Sequence, residues 1–211
     1  MSTPERDSTP PAGDDPYAAM RNETDPRALR ALAHPTRIAL LEALAVGGPL
    51  TATEAAGIVG GTVPNVSYHL RTLAKYEYVV EAGGGTGRER PWKLGAVSLR
   101  IDSENPDLTV GHAARALGDV VLDRWWARVR HYDSHREQYP QAVRSVSGRS
   151  QFVLFATTAE VEQAQREIAS VLMRFTDRID DPAARPEGSV PFEVLTATHP
   201  FEVLLPTEPE R

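Results

Sequence analysis

The chain contains no cysteine. Disulfides are therefore excluded, and so is any thiolate metal site. No apolar run approaches the length needed to span a bilayer. The N-terminus lacks a basic segment followed by an apolar core, so no signal peptide and a cytoplasmic location are expected. Catalytic signatures are missing too: there is no Gly-x-Ser-x-Gly, no carboxylate pair with a plausible partner, and no P-loop. The glycine run at Gly83 lacks the lysine and the helix start that a P-loop requires. The sequence thus predicts neither an enzyme nor a cofactor.

What is present is an ordinary globular composition. The 211 residues are 41% hydrophobic and 25% charged, enough for one large domain or two small ones. The net charge of -6 argues at first against a nucleic-acid partner. Its distribution argues otherwise. Met1 to Asp25 carries two basic and six acidic residues, Pro26 to Arg100 nine basic and five acidic, and the remainder twelve basic and eighteen acidic. A basic middle lies between acidic ends, and phosphate binding depends on the local field.

Residues 1–24 are rich in Pro, Ser, Thr, Asp and Glu, which predicts a disordered tail. Asp25-Pro26 is a helix start. His34-Pro35 interrupts that helix, because a residue before proline avoids the helical region. A second helix over Thr36 to Val46 is indicated by Ile38, Leu41 and Leu44, and Gly47-Gly48 ends it. Thr51 and Glu54 form a capping box for a short third helix. Gly60-Gly61 turns the chain, Thr62 caps the next helix, and Pro64 fits its first turn. That helix runs to about Tyr76. Val79-Val80 and Pro91 to Leu94 read as two strands around a glycine-rich tip. Gly95 to Asp107 reads as a linker.

The helix from Pro64 to Tyr76 has an apolar stripe of Val66, Leu70 and Leu73. Asn65, Tyr68, Arg71, Thr72 and Lys75 lie opposite, and Ser67 and His69 flank the stripe. Asn and Arg pair bidentately with adenine and guanine edges in the major groove. Ser, Thr, Tyr and Lys more often reach phosphate. Alone, such a helix is an ordinary solvated face. Preceded by a short capped helix and a glycine turn, it completes a helix-turn-helix order. The adjoining hairpin carries Arg88 and Arg90, which suit the minor groove or the backbone.

Two segments carry a family likeness: LAHPTRIALLEAL from Leu32 to Leu44, and VSYHLRTLAKYEYV from Val66 to Val79. With them the stretch from Asp25 to Leu94 resembles the winged helix-turn-helix regulators of the ArsR type. The resemblance implies a recognition helix over 64–76 and a wing over 82–91. It implies that Asn65, Ser67, Tyr68, His69 and Arg71 face or flank the groove and that Gly83 to Arg90 form the wing; together with the helix reading, DNA contacts are expected from these residues and from Thr62, Thr72, Lys75, Arg88 and Arg90. It also implies a homodimer on a palindromic operator, its recognition helices about one helical turn, on the order of 34 Å, apart. One position departs from the family pattern. Glu77 stands where a glycine usually turns left-handed, at a cost of roughly 1 kcal/mol.

The rest of the chain, 101–211, reads as a C-terminal α+β domain for dimerisation and a possible effector. A long helix over 109–139 is apolar on two sides, and Leu117, Val121, Trp125, Trp126 and Val129 are expected at a dimer interface. Phe152 to Ala156 reads as a strand. Thr157 and Glu160 form a second capping box, opening a helix with Val161, Ala164, Ile168, Val171, Leu172 and Phe175 on one face. The pentapeptide PFEVL occurs at Pro191 and again at Pro200, each copy reading as a strand of an edge hairpin. Trp125, Trp126, Tyr132, Phe152 and Phe175 could line an aromatic pocket, although such spacing is more often core. His131 and His135, with Asp133 between them, have zinc spacing. No second paired cluster accompanies them, so a polar helix end is preferred and no metal is expected.

The sequence therefore predicts a predominantly helical α+β chain: a tail (1–24), a winged helix-turn-helix domain (25–100) and a C-terminal domain (101–211). The function expected is a homodimeric transcriptional regulator binding duplex DNA, with a possible small-molecule effector and no membrane partner. The alternatives are a regulator gated by a ligand in the C-terminal domain, and a winged-helix protein-interaction module without DNA binding.

Overall fold

The computed structural model describes residues 16–17, 20–83, 90–95 and 99–202. Helix α1 (Pro26–Leu32) begins where Asp25 accepts a hydrogen bond from the Arg27 N–H at 2.8 Å. The chain breaks before Pro35, and α2 (Pro35–Gly47) comes next. His34 caps α2 through Nδ1, which accepts from the Thr36 N–H at 3.1 Å. Helix α3 (Ala52–Val59) carries the expected capping box, with Thr51 and Glu54 exchanging hydrogen bonds. Gly60 and Gly61 turn the chain at φ of 80° and 92°, conformations open to glycine. Thr62 then caps α4 (Val63–Lys75).

At the end of α4, Glu77 keeps the left-handed turn at φ 60° without being glycine. Hydrogen bonds just beyond the turn offset the cost. Tyr78 N–H donates to the Leu73 carbonyl at 3.1 Å and Gly95 N–H to the Tyr78 carbonyl at 3.0 Å. A Cβ at Gly95 would stand 2.2 Å from the Glu77 carbonyl oxygen. The glycine missing from position 77 is thus needed at 95. Strands β2 (Val79–Glu81) and β3 (Trp92–Leu94) form an antiparallel hairpin in the register Val79↔Leu94 and Glu81↔Trp92. Leu50 adds one bridge to Trp92, bonded in both directions.

One apolar core joins these elements. Leu29 and Leu32 of α1, Leu40 and Leu44 of α2, and Val66, Leu70 and Leu73 of α4 are buried together. Each such side chain contributes roughly 1.5–3 kcal/mol. The core does not stop at residue 100, where the sequence places a domain boundary. Helix α5 (Leu108–His135) sends Val110, Ala113, Ala114 and Leu117 into the same cluster. Those residues recur every three or four positions, so the first half of α5 lies against α1 as part of the N-terminal domain.

The expected tail is also shorter than 24 residues where it can be followed; residues 1–15 and 18–19 lie outside the described residues. Strand β1 (Arg21–Asn22) pairs in parallel with β4 (Leu99–Arg100), inside the stretch read as a linker. Glu23 is only 7% exposed. Its carboxylate accepts from the Tyr78 hydroxyl at 2.7 Å, from Arg21 at 2.8 and 3.1 Å, and from the Asp25 N–H at 2.9 Å. Arg21 also lies over the Tyr78 ring, 4.4 Å from its centroid. Burial raises the Glu23 carboxyl, but the bonds from Tyr78 and Asp25 and the Arg21 charge outweigh it and hold the group below its usual range. Composition marked these residues as unable to bury apolar surface, yet a polar clasp holds them.

Beyond α5 and a 3₁₀ turn (Arg136–Gln138), the chain forms α6 (Gln141–Val146), α7 (Thr158–Met173) and α8 (Asp177–Asp180). The capping box of Thr157 and Glu160 opens α7 as expected. The expected strands do not form: Phe152 to Ala156 and the PFEVL segment from Pro191 have no β-partner, nor do the described residues of the second copy. Their backbone groups need a neighbouring strand, and none of the described residues supplies one,. No described residue after Leu117 is buried; Phe155 stands fully in solvent and Phe152 largely so. The C-terminal half thus lacks a core of its own within one chain.

Candidate nucleic-acid interface

Packing of α3 and α4 against α2 fixes which side of α4 faces outward. Val66, Leu70 and Leu73 are buried, while Asn65, Tyr68, Arg71 and Lys75 are exposed. These four share a face because they recur every three or four residues. Thr62, Ser67 and Thr72 are placed differently. The Thr62 hydroxyl accepts from the Asn65 N–H at 3.4 Å, and the Thr72 hydroxyl donates to the Tyr68 carbonyl at 2.9 Å. Both are committed to the helix. Ser67 is half-buried at the margin.

His69 does not face a groove. It is 6% exposed, packed with its ring centroid 4.6 Å from that of His34. Its Nδ1 accepts from the Arg37 Nε at 3.4 Å, and Arg37 also donates to the Ala31 carbonyl. Burial lowers the basicity of both imidazoles, and the Arg37 charge lowers it further; His34 adds to the effect on His69. Both rings thus act as neutral acceptors that join the start of α2 to α4. The HPTR segment holds the recognition-helix candidate from behind. The sequence hides this because a histidine beside an apolar stripe fits either side of the helix.

On the hairpin, the Arg90 guanidinium donates to Glu81 at 2.7 Å. The pair is exposed, and its hydrogen bond and charge raise the Arg90 pKa. An exposed ion pair in water is weak and readily exchanged for another anion. Arg88 lies outside the described residues.

Two further basic residues join this face. Arg27 and Arg30 of α1 line a concavity of about 520 Å³ with Tyr68, Arg71, Thr72 and Lys75. Sequence spacing could not reveal them, since some forty residues separate the two helices and only the core brings them together.

The face expected at a dimer interface divides. Leu117 is completely buried within its own chain, so it cannot meet a partner. Val121 packs against the same core. Trp126 is 42% exposed, Trp125 and Val129 are half-buried, and the two indoles meet edge to face at 4.8 Å. Glu42 of α2 binds Arg124 and Arg128 of α5, and Arg128 also binds Glu193 of the C-terminal segment. The aromatic pocket does not assemble: Tyr132 pairs with Tyr139, Phe152 is exposed, and Phe175 lies beneath Arg178. His131 and His135 stack at 4.2 Å, with the His135 Nδ1 held 2.8 Å from the His131 carbonyl. Asp133 is bound to Arg149 at 2.7 Å. Among the described residues no three His, Cys, Asp or Glu side chains group around a metal position. Among them, too, no helix is long and apolar enough to cross a membrane.

Comparison with known proteins agrees with this geometry over one stretch. Residues 32–77 match the family model described as a helix-turn-helix domain. The match runs from the last residue of α1 through the left-handed turn after α4. No curated protein matches the chain. Residues 32–77 thus carry the order and turn of a helix-turn-helix domain.

Proposed function

We propose that the protein is a transcriptional regulator that binds duplex DNA in a sequence-specific way as a homodimer. The observation that carries this reading is the exposed face of α4, where Asn65, Tyr68, Arg71 and Lys75 stand clear of the core of a helix-turn-helix domain. Asn65 and Arg71 read base edges in the major groove. Tyr68 and Lys75 hold phosphates. The β2–β3 hairpin serves as a wing, with Arg90 exchanging Glu81 for the DNA backbone.

Dimerisation is supported by what one chain leaves uncovered. Leu122 and Trp126 on α5 are exposed, and the apolar segments around Phe152 and Phe192 have no strand partner among the described residues. A second copy supplies both, covering the α5 face and pairing the C-terminal segments. A twofold arrangement then sets two α4 helices on half-sites about 34 Å apart.

Selection from a pool of random duplexes at low salt tests the reading. The expected result is an enriched palindrome with half-site centres spaced by about 10 base pairs. Enrichment of no sequence would leave the alternative of a protein-interaction module.

A further inference from the structure

The concavity between α1 and α4 is lined by Arg27, Arg30, Arg71 and Lys75, with Tyr68 and Tyr76 beside them, and its lining includes no acidic residue. Leu29 and Leu32 pack in one core with Leu70 and Leu73, which fixes the two helices side by side. Arg27 and Arg30 are three residues apart on α1, and Arg71 and Lys75 four apart on α4, so each pair shares a face. Among the described residues none of these four cations has a carboxylate partner. Several arginines elsewhere are paired, among them Arg90 with Glu81, Arg124 with Glu42 and Arg149 with Asp133. Four like charges drawn together without a counter-charge repel one another and create a local positive potential in a chain whose net charge is -6,.

We infer that this notch is a phosphate site and that α1 is part of the DNA-binding surface, with Arg27 and Arg30 gripping backbone phosphates beside the groove that α4 enters. The inference rests on the proposed DNA-binding function and extends its surface to Arg27 and Arg30, which precede the matched stretch. Guanidinium forks and tyrosine hydroxyls are donors suited to phosphate oxygens. Arg27 and Arg30 act on affinity and register, not on base choice.

The test is the salt dependence of binding to the selected duplex. Arg27→Ala/Arg30→Ala removes two phosphate contacts and flattens the slope of log affinity against log salt by about 2. Over a fourfold rise in salt, wild type should then lose roughly tenfold more affinity than the variant. Arg27→Lys/Arg30→Lys keeps the slope, which separates charge from packing. The control Arg130→Ala/Arg136→Ala removes the same charge from exposed positions at the end of α5 and should leave the slope nearly unchanged. An unchanged slope in the α1 variant, with wild type binding its site, overturns the inference and leaves the proposed function standing. Equal flattening by the control also overturns it. If wild type selects no duplex, both fail together. Inorganic phosphate provides the remaining arm: if it raises the melting temperature of wild type but not of the α1 variant while the slopes agree, the notch takes a diffusible phosphate and the DNA assignment is wrong.

Discussion

Tyr78→Phe isolates the clasp that ties the N-terminal arm to the end of α4. The Tyr78 side chain is 4% exposed and Glu23 is 7% exposed, so water cannot readily replace the lost hydroxyl. Glu23 would keep three donors: two from Arg21 and the Asp25 N–H. The variant loses one hydrogen bond of 2.7 Å to a charged acceptor. Such bonds contribute about 1.5–3 kcal/mol, and the lower half of that range applies because Arg21 stays on the same oxygen. With an m-value of about 1–3 kcal/mol/M, the urea midpoint should fall by roughly 1 M. Glu23→Gln in the same background completes a double-mutant cycle, and a coupling of about 1 kcal/mol or more is expected. The acid limb supplies an independent check. The Glu23 carboxyl is held below its ordinary 4.5 in the fold, so its contribution is present above that pH and lost as pH falls through the folded value. The variant should therefore lose less stability than wild type on acidification below pH 4.5. Additive effects, or a midpoint shift within error of zero, would refute the view that residues 21–25 belong to the folded domain.

Two other perturbations test neighbouring contacts. Gly95→Ala places a methyl group 2.2 Å from a backbone carbonyl that the left-handed Glu77 holds in place; destabilisation of at least about 2 kcal/mol is expected in urea unfolding, with the hairpin displaced. His34 and His69 are both held below their ordinary 6.5 by burial and by Arg37. Their contribution is complete above that value and lost as pH falls below it, so the urea midpoint should drop between pH 7 and 5. His34→Asn retains an N-cap acceptor without a titrating ring and should reduce that drop.

The legible parts of the sequence were those governed by local rules. Asp25, Thr51, Thr62 and Thr157 announced helix starts because capping depends on residues within one turn. The apolar stripe of α4 announced its buried face because the period of 3.6 is intrinsic to the helix. The long-range placements were not legible. Spacing places His69 beside a groove and Leu117 on a dimer face, yet both are buried within the chain, because a stripe's margins depend on which neighbour arrives. Arg27 and Arg30 stood unmarked on α1, since nothing local says that α4 will lie beside them. Glu23 sat in a polar tail whose composition gave no hint of Tyr78, fifty-five residues later. The C-terminal strands were expected from alternation alone, which reports a preference for a sheet and not the presence of a partner.

In the proposed complex α4 reads sequence through Arg71. The most direct measurement of this compares wild type and Arg71→Ala on the selected duplex and on a scrambled duplex of equal length and salt. The expected result is a loss of roughly 1–3 kcal/mol on the selected duplex, with a much smaller loss on the scrambled one, so that discrimination between them narrows. Equal losses on both duplexes, or none on either, would contradict it.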